Sequence, residues 1–138
     1  MSREKFYETF AIGDREVFSK TITEADITLF AGLSGDFYPL HVDAEYAKTT
    51  RFKQRAVHGM LTASLLSTVN GALLGVPGGI YVSQTLNFKR PVFIGDTLTA
   101  TSEVVEMIPG KRRLRCLTIV VNQHGKTVLD GEAIIQKD

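Results

Sequence analysis

The sequence predicts an α+β protein in which an antiparallel β-sheet wraps around one buried α-helix. Residues 60–74 form an apolar segment that would place hydrophobic side chains on nearly every side of a helix, which is typical of a helix inside a core. The second half of the chain then contains four stretches rich in Val, Ile, Thr and Leu, separated by turns that contain glycine. Consecutive strands joined by such turns form an antiparallel meander. The predicted strands are residues 80–89, 97–107, 114–123 and 127–136.

Length and composition narrow the class of protein. The chain has 138 residues, the size of one ordinary domain, so we expect residues 1–138 to form a single domain. Hydrophobic residues make up 43% and charged residues 22%, which is the balance of a soluble globular protein. The net charge of +1 gives no support for nucleic-acid binding through a large basic surface. The sequence has no stretch typical of a secretory signal or membrane span, and its single cysteine suits a reducing compartment, so we expect a cytoplasmic protein without a membrane partner.

The elements before the buried helix follow from local signals. Residues 16–23 are rich in β-branched and aromatic side chains and predict a short strand. Thr23 is then a suitable N-cap for a helix with acidic residues in its first turn, and Gly35 is a suitable end for it. From Gly35 to residue 43 we predict an ordered loop. Residues 44–49 are predicted to form one or two helical turns.

The densest group of reactive side chains lies in that loop, where Asp36 precedes His41 by five positions. On a continuous helix, five steps of about 100° would leave the two side chains about 140° apart. Pro39 makes a continuous helix unfavourable and bends the segment instead. A bent loop can bring a carboxylate and an imidazole to one cavity, where they can hold a water molecule and move its protons. The alternative is that Asp36 caps a turn and His41 is merely exposed, and the spacing alone leaves both interpretations open.

A second candidate stands where the buried helix begins. The backbone N–H of Gly59 would have no partner within that helix, and the helix dipole adds positive potential there. Such an N–H can stabilise a carbonyl oxygen, for example that of a thioester, as the oxygen gains negative charge. Glycine also leaves room for a ligand to approach closely. The alternative is a glycine required only by the backbone at the helix start, and the residue by itself favours that alternative.

The other polar residues are weaker candidates for a catalytic or binding role. Ser64 and Ser67 lie within the apolar helix, where a serine usually bonds back to the carbonyl one turn earlier, and no Gly-x-Ser-x-Gly surrounds either. We expect Cys116 to pack in a strand or lie at the surface, and His124 to occupy a turn. The basic residues 111–115 predict a solvated strand edge, with phosphate contact as the alternative. Without a glycine-rich phosphate loop, and with three separated histidines, the sequence predicts acid–base chemistry without a metal or cofactor.

Three segments together resemble a known family. They are Ser-Gly-Asp-Phe-Tyr-Pro-Leu-His-Val-Asp at residues 34–43, Val-His-Gly-Met at residues 57–60, and Asn-Phe-Lys-Arg-Pro-Val-Phe-Ile-Gly-Asp-Thr-Leu at residues 87–98. In this order and at this spacing they resemble the MaoC-like family of (R)-specific enoyl-CoA hydratases, and the resemblance runs from about Phe10 to the C-terminus. It implies a hot-dog fold, in which an antiparallel sheet wraps a central helix.

The resemblance also implies roles for individual residues. Asp36 and His41 correspond to the family's catalytic pair, and the Gly59 N–H corresponds to its oxyanion donor. By spacing, Ser67 corresponds to a serine that helps hold the active site. Tyr38 stands where the family usually has asparagine, and it either narrows the acyl tunnel in favour of short or unusual chains or points away. The family implies two subunits side by side, and a single sheet of this size leaves an edge and a face to be covered, so we expect a homodimer.

The function implied is reversible syn addition of water to a trans-2-enoyl thioester, giving an (R)-3-hydroxyacyl product in fatty-acid or polyhydroxyalkanoate-type metabolism. Asp36 and His41 would hold the water, with the division between acid and base left open. The substrate would be an acyl-CoA or an acyl-carrier-protein thioester. Three alternatives stay open: a hot-dog acyl-CoA thioesterase, an acyl-carrier-protein dehydratase and a non-catalytic acyl-thioester-binding subunit.

Overall fold

The computed structural model describes residues 4–138. Its helices are α1 (Glu24–Ser34), α2 (Pro39–Val42), α3 (Ala44–Lys48) and α4 (Gly59–Leu74). Its strands are β1 (Arg15–Thr21), β2 (Gly79–Gln84), β3 (Asn87–Phe88), β4 (Thr97–Ile108), β5 (Arg113–Val121) and β6 (Thr127–Lys137). Single-turn 3-10 helices lie at Tyr7–Thr9 and Pro109–Lys111. Among the helices within this range, none is long and apolar enough to cross a membrane.

The strands form one antiparallel sheet in the order β1-β4-β5-β6-β2, and the short β3 also pairs with β6. Helix α4 contacts all five strands of this path, so the sheet curls around it. Buried leucines and Val69 of α4 face the sheet, and each fully buried side chain of this size contributes about 1.5–3 kcal/mol. The α+β class and the hot-dog arrangement of a sheet around a central helix are confirmed.

A buried polar chain joins α4 to the sheet. Ser102 Oγ of β4 donates a hydrogen bond to Asn70 Oδ1 at 2.6 Å, and Asn70 Nδ2 donates to the Tyr81 hydroxyl of β2 at 2.8 Å. Asn70 and Ser102 are fully buried, and burial raises the pKa of Tyr81. Because each polar group in this series has a partner, these hydrogen bonds specify the rotation of α4 against two separate strands.

Two lysines cap the C-terminal end of α4. Lys5 Nζ donates to the Ala72 carbonyl at 2.7 Å, and Lys137 Nζ donates to the Leu74 carbonyl at 2.5 Å and to the Pro77 carbonyl. Burial lowers the pKa of Lys137, whose side chain is almost completely enclosed. Cations stabilise the negative end of a helix dipole, so residues from both ends of the chain hold the end of the central helix.

The local signals for α1 are confirmed. Asp26 N donates to Thr23 Oγ1 at 3.3 Å and Thr23 N donates to Asp26 Oδ2 at 2.9 Å, which is a capping box. Gly35 follows the helix with φ of +79°, in the left-handed region that favours glycine. This ending turns the chain towards the segment that carries Asp36.

The continuous strand predicted at residues 80–89 is wrong. The segment divides into β2 and β3, because the backbone between them crosses close over Gly131 of β6, where a Cβ would collide with the Thr85 carbonyl oxygen. Thr85 N donates to the Glu132 carbonyl at 2.9 Å at the same place. The simple meander is also wrong: only β4, β5 and β6 follow one another, while β2 lies beyond β6 rather than beside β4.

Two helical predictions also need correction. The loop predicted from Gly35 to residue 43 contains α2, which begins at Pro39, a residue that suits the first turn of a helix because it needs no N–H partner there. Helix α4 begins at Gly59, as predicted, but it is not buried all round. One stripe of it is exposed, comprising Gly59, Met60, Ser64, Ser67, Thr68 and Gly71.

Candidate active site

Asp36 lies in a turn built directly on the end of α1. Ser34 Oγ donates back to the Phe30 carbonyl at 2.7 Å, and Asp36 N donates to Ser34 Oγ at 3.2 Å. Asp36 Oδ1 accepts the Tyr38 N–H at 3.1 Å. The carboxylate therefore does cap a turn, and as an exposed side chain it also offers oxygen lone pairs to a ligand.

His41 lies on α2, and the segment before α4 holds it in place. Its Nδ1 is 2.7 Å from the Ala56 carbonyl oxygen, and because a carbonyl only accepts, Nδ1 carries the proton. The lone pair of the neutral ring is then on Nε2. Arg55 Nε donates to the His41 carbonyl at 2.7 Å, and Ala56 N donates to the Leu40 carbonyl at 3.2 Å. These bonds fix both the position and the tautomer of the imidazole.

His58 is a member of the site that the sequence reasoning missed. Its ring stacks on that of His41 with centroids 4.0 Å apart and planes at 25°, and its Nε2 donates to the Asp36 carbonyl at 2.9 Å. The ring is 1% exposed and also lies against Phe30, at 4.9 Å between centroids. Within residues 4–138, His58 Nδ1 is buried and has no hydrogen-bond partner. The available signal was its place immediately before Gly59, at the start of the central helix.

The fold therefore brings the predicted pair together. One nitrogen or oxygen atom from each of Asp36, His41 and His58 lies within 4.8 Å of the others. Two of the three histidines, which are separated in the sequence, are thus neighbours, whereas His124 is exposed in a turn. A carboxylate and two imidazoles are also donor types for a transition metal. One nitrogen of each ring is already bonded to a carbonyl, His41 Nδ1 to that of Ala56 and His58 Nε2 to that of Asp36.

Gly59 is the first residue of α4, with His58 as its N-cap. Across residues 4–138, no hydrogen bond from the Gly59 N–H is found, as expected for the first turn of a helix. A Cβ at this position would lie 2.8 Å from Cε1 of Phe88, so the absence of a side chain admits the Phe88 ring. The room expected beside Gly59 is therefore taken up by Phe88 on the Cβ side, while the unpaired N–H at the positive end of the central helix remains a donor for an incoming oxygen atom.

His41 and Gly59 share a cavity of about 340 Å³, a volume within the range of small-molecule sites. Asp36, Tyr38 and Ser67 do not line it. Its walls are mostly apolar, and its outer part carries three basic side chains. The lining residues are Leu40, His41, Arg51, Phe52, Ala56, Val57, Gly59, Thr62, Phe88, Lys89, Arg90, Pro91, Val92 and Val128.

Tyr38 and Ser67 occupy more open positions. The Tyr38 ring meets His41 edge-on, with centroids 5.8 Å apart and planes at 68°, and about half of the side chain is exposed. Tyr38 therefore lies beside the imidazole and does not point away from it. Ser67 lies two turns beyond Gly59 on the exposed stripe of α4.

The remaining polar residues lie away from this cavity. Within the basic segment 111–115, Arg112 pairs with Glu8 at 2.9 Å, and Arg115 pairs with Glu106 at 2.8 Å and with Glu132 at 3.0 Å. Cys116 is buried in β5, and burial raises the pKa of its thiol to about 11. Ser64 Oγ donates to the Leu61 carbonyl at 2.5 Å, which is the local role expected for a serine within a helix.

The sequence matches the family described as MaoC like domain over residues 10–125, and the chain belongs to this family. It is 48% identical over 130 residues to an "(R)-specific enoyl-CoA hydratase" of Rhodospirillum rubrum, covering 94% of this chain and 90% of that protein. It is 41% identical over 134 residues to a "3-hydroxybutyryl-CoA dehydratase" of Methylorubrum extorquens, covering 97% of this chain and 85% of the relative.

Solved structures support the membership of this chain in the family. R-hydratase PhaJ1 from Pseudomonas aeruginosa superposes with a TM-score of 0.88 at 46% identity, covering 96% of this chain and 86% of that chain. The (R)-hydratase from A. caviae involved in PHA biosynthesis superposes with a TM-score of 0.90 at 40% identity, covering 95% and 99% of the two chains. At this similarity the helix, the curled sheet and their connections correspond along nearly the whole length.

Proposed function

We propose that the protein is an (R)-specific enoyl-CoA hydratase that adds water reversibly and syn to trans-2-enoyl-CoA. The observation that carries the proposal is the cluster of Asp36 and His41 with His58, whose ligand-type atoms lie within 4.8 Å of one another. The unpaired N–H of Gly59 shares a cavity with His41. The names of the relatives, enoyl-CoA hydratase and 3-hydroxybutyryl-CoA dehydratase, support the same reaction class.

The thioester oxygen is the atom that needs stabilisation. Conjugation makes C3 of the enoyl group electrophilic, and attack by water at C3 moves negative charge onto the thioester oxygen. The Gly59 N–H and the positive end of α4 would stabilise this charge as it develops. Removing one such donor from an enzyme typically lowers kcat by about 10²–10³-fold.

Asp36 and His41 would hold the attacking water and move its protons. His41 Nδ1 is occupied by the Ala56 carbonyl, so Nε2 is the nitrogen free to exchange a proton. Asp36 Oδ1 accepts the Tyr38 N–H, which leaves Oδ2 for the water. One member of the pair takes the proton that the water loses, and the other delivers a proton to C2, so that OH is added at C3 and H at C2 with no change in net charge.

Hydration of crotonyl-CoA tests the assignment. The loss of enoyl absorbance and chiral analysis of the 3-hydroxybutyryl product give the rate and the stereochemistry. We expect Asp36→Asn and His41→Ala to lower kcat by about 10²–10⁴-fold, because general acid–base catalysis contributes about that much. Glu45→Gln and His124→Ala, both exposed side chains, are matched controls that should keep the wild-type rate. Near-wild-type activity of Asp36→Asn would contradict the assignment.

Measuring free thiol, binding and turnover of carrier-protein thioesters alongside this assay distinguishes the alternative functions. Release of free thiol from the substrate would identify a thioesterase, because hydrolysis attacks the carbonyl carbon instead of C3. Binding of crotonyl-CoA without loss of enoyl absorbance would identify a non-catalytic subunit. Turnover restricted to carrier-protein thioesters would identify the corresponding dehydratase, a class named for a Solanum lycopersicum relative that is 41% identical over 117 residues.

We further propose a homodimer. Apolar side chains around the candidate site are exposed, including Leu33 at 85% and Met60 at 56%, and the exposed stripe of α4, which contains Ser67, continues from there. Apolar surface of this kind marks an interaction site, and a second copy would enclose the otherwise open Asp36. Analytical ultracentrifugation should show a dimer that Leu33→Glu weakens together with activity. A monomeric wild-type protein with full activity would exclude this arrangement.

Two broader proposals concern the chain as a whole. We propose that residues 1–138 act as one domain, supported by β1 and β6 belonging to a single sheet that packs on α4. We also propose a reducing, cytoplasmic location, supported by a single cysteine that is buried and free.

A further inference from the structure

Three basic side chains surround the outer part of the cavity that contains His41 and Gly59. They are Arg51, Lys89 and Arg90, here called the rim cations, and all three are exposed. In the part of the chain that the structure describes, none of them has a carboxylate within ion-pair distance. Among residues 4–138, none of those that line the cavity is acidic. The cavity therefore carries concentrated positive charge in a protein whose net charge is only +1.

The positive charge at the cavity is informative because basic residues elsewhere are neutralised by ion pairs. Arg55 pairs with Glu24 at 2.8 Å, and Lys20 pairs with Asp26 at 2.9 Å. The basic segment 111–115, the sequence-based candidate for phosphate contact, is largely tied up in ion pairs with Glu8, Glu106 and Glu132. It also lies at the opposite end of β6 from the cavity, since Arg113 pairs with Gln136 whereas Val128 lines the cavity.

Local contacts position the backbone of Lys89 and the side chains of the two arginines. The backbone N–H groups of Lys89 and Arg90 both donate to the Val128 carbonyl, at 2.8 and 3.3 Å. Arg90 Nη1 donates to the Thr127 carbonyl at 2.7 Å, which anchors the guanidinium and leaves its other N–H groups free. The Arg51 guanidinium lies 4.8 Å from the centroid of the Phe52 ring. Held arginine forks match the geometry of phosphate oxygens, and lysine adds a point charge.

We propose that the rim cations bind the phosphate groups of the nucleotide part of a coenzyme A thioester. This inference rests on the proposed function, because it orients the same substrate in the same site. The phosphates stay at the charged, exposed rim, while the thioester end enters between apolar walls towards Gly59 and His41. The arrangement separates recognition of the carrier from chemistry on the acyl group.

Substrates with and without phosphates provide the test. We compare crotonyl-CoA with S-crotonyl pantetheine, which has the same reacting group and no phosphate. The double variant Arg51→Gln/Lys89→Gln should raise KM for crotonyl-CoA by about 2- to 25-fold, since each exposed charge contact contributes a factor of about 1.5 to 5. Its kcat should stay unchanged, and its kcat/KM for S-crotonyl pantetheine should match that of the wild type. Added KCl should weaken the wild-type preference for crotonyl-CoA because salt screens these contacts.

Lys111→Gln is the matched control. Lys111 is exposed and lies in the hairpin at the opposite end of the sheet, so its KM for crotonyl-CoA should not change. An unchanged KM in the double variant, or an equal rise in KM for both substrates, would overturn the proposal. If the wild type hydrates neither substrate, the proposed function fails, and calorimetry with free coenzyme A then tests the rim cations separately. Binding that the double variant loses would support their role in phosphate binding. Absent binding, or binding that the double variant keeps, would reject it.

Discussion

Variants of His58 can distinguish a role in positioning the active-site residues from a role in stabilising the fold. Its Nε2–H donates to the Asp36 carbonyl at 2.9 Å, and its ring stacks on His41 at 4.0 Å. We expect His58 to be a positioning residue, which places the Asp36 turn and the His41 ring relative to each other. His58→Phe keeps an aromatic ring of similar shape against His41 and Phe30, but it removes the hydrogen bond to Asp36.

The expected magnitudes follow from these contacts. In His58→Phe, the lost hydrogen bond costs about 1 kcal/mol, and the loss of the buried, unpaired Nδ1 offsets part of it. The free energy of unfolding should therefore fall by no more than about 1 kcal/mol. The Asp36 turn, however, loses its anchor, and a displacement of about 1 Å can cost about 10²-fold in rate, so we expect kcat to fall by about 10- to 100-fold. His58→Ala should in addition destabilise the fold by about 2–4 kcal/mol, because it leaves a cavity.

Urea unfolding and crotonyl-CoA hydration, measured on the same preparations, check these expectations. The expected pattern is a small stability loss with a large kcat loss in His58→Phe, a KM that changes little, and partial rescue in His58→Gln, whose amide can donate to the Asp36 carbonyl again. Wild-type kcat in His58→Phe would refute the positioning role. A kcat loss that only accompanies global unfolding would refute it equally.

Other contacts lead to three further predictions. Asn70→Leu leaves the buried Ser102 hydroxyl and the partly exposed Tyr81 hydroxyl without their Asn70 partner, so the free energy of unfolding in urea should fall by about 1–3 kcal/mol, and an unchanged midpoint would contradict the role of these hydrogen bonds. Burial raises the pKa of Cys116 from 9.0 to about 11, so at pH 8 the native thiol should resist a disulfide reagent until urea is added. The stabilisation linked to this thiol should be complete below about pH 9 and lost as the pH rises through about 11. Tyr38→Asn removes bulk beside His41, so the rate on octenoyl-CoA relative to crotonyl-CoA should rise, and equal wild-type rates on both would argue against a narrowed acyl site.

Short-range signals in the sequence account for much of the architecture. The Thr23 cap and the Gly35 ending define α1, because both act within a few residues of the helix ends. The bounds of β4, β5 and β6 lie within about two residues of the predicted ones, since alternating burial and turn residues are local properties as well. The pairing of Asp36 with His41 was open from spacing alone and needed the bend at Pro39, which the sequence does show.

Contacts between distant segments determined the strand order and which site residues are neighbours. Strand β2 pairs with β6 across the sheet because the chain can pass close over Gly131, and no local propensity encodes which strand becomes a neighbour. His58 stacks on His41 only because α4 begins beneath the Asp36 turn, although 17 positions separate the two residues in the sequence. The sequence by itself determined most of the helices and strands and which residue types could do acid–base chemistry. The tertiary structure determined which of those residues meet, because burial and hydrogen bonding between distant segments depend on how the sheet closes around α4.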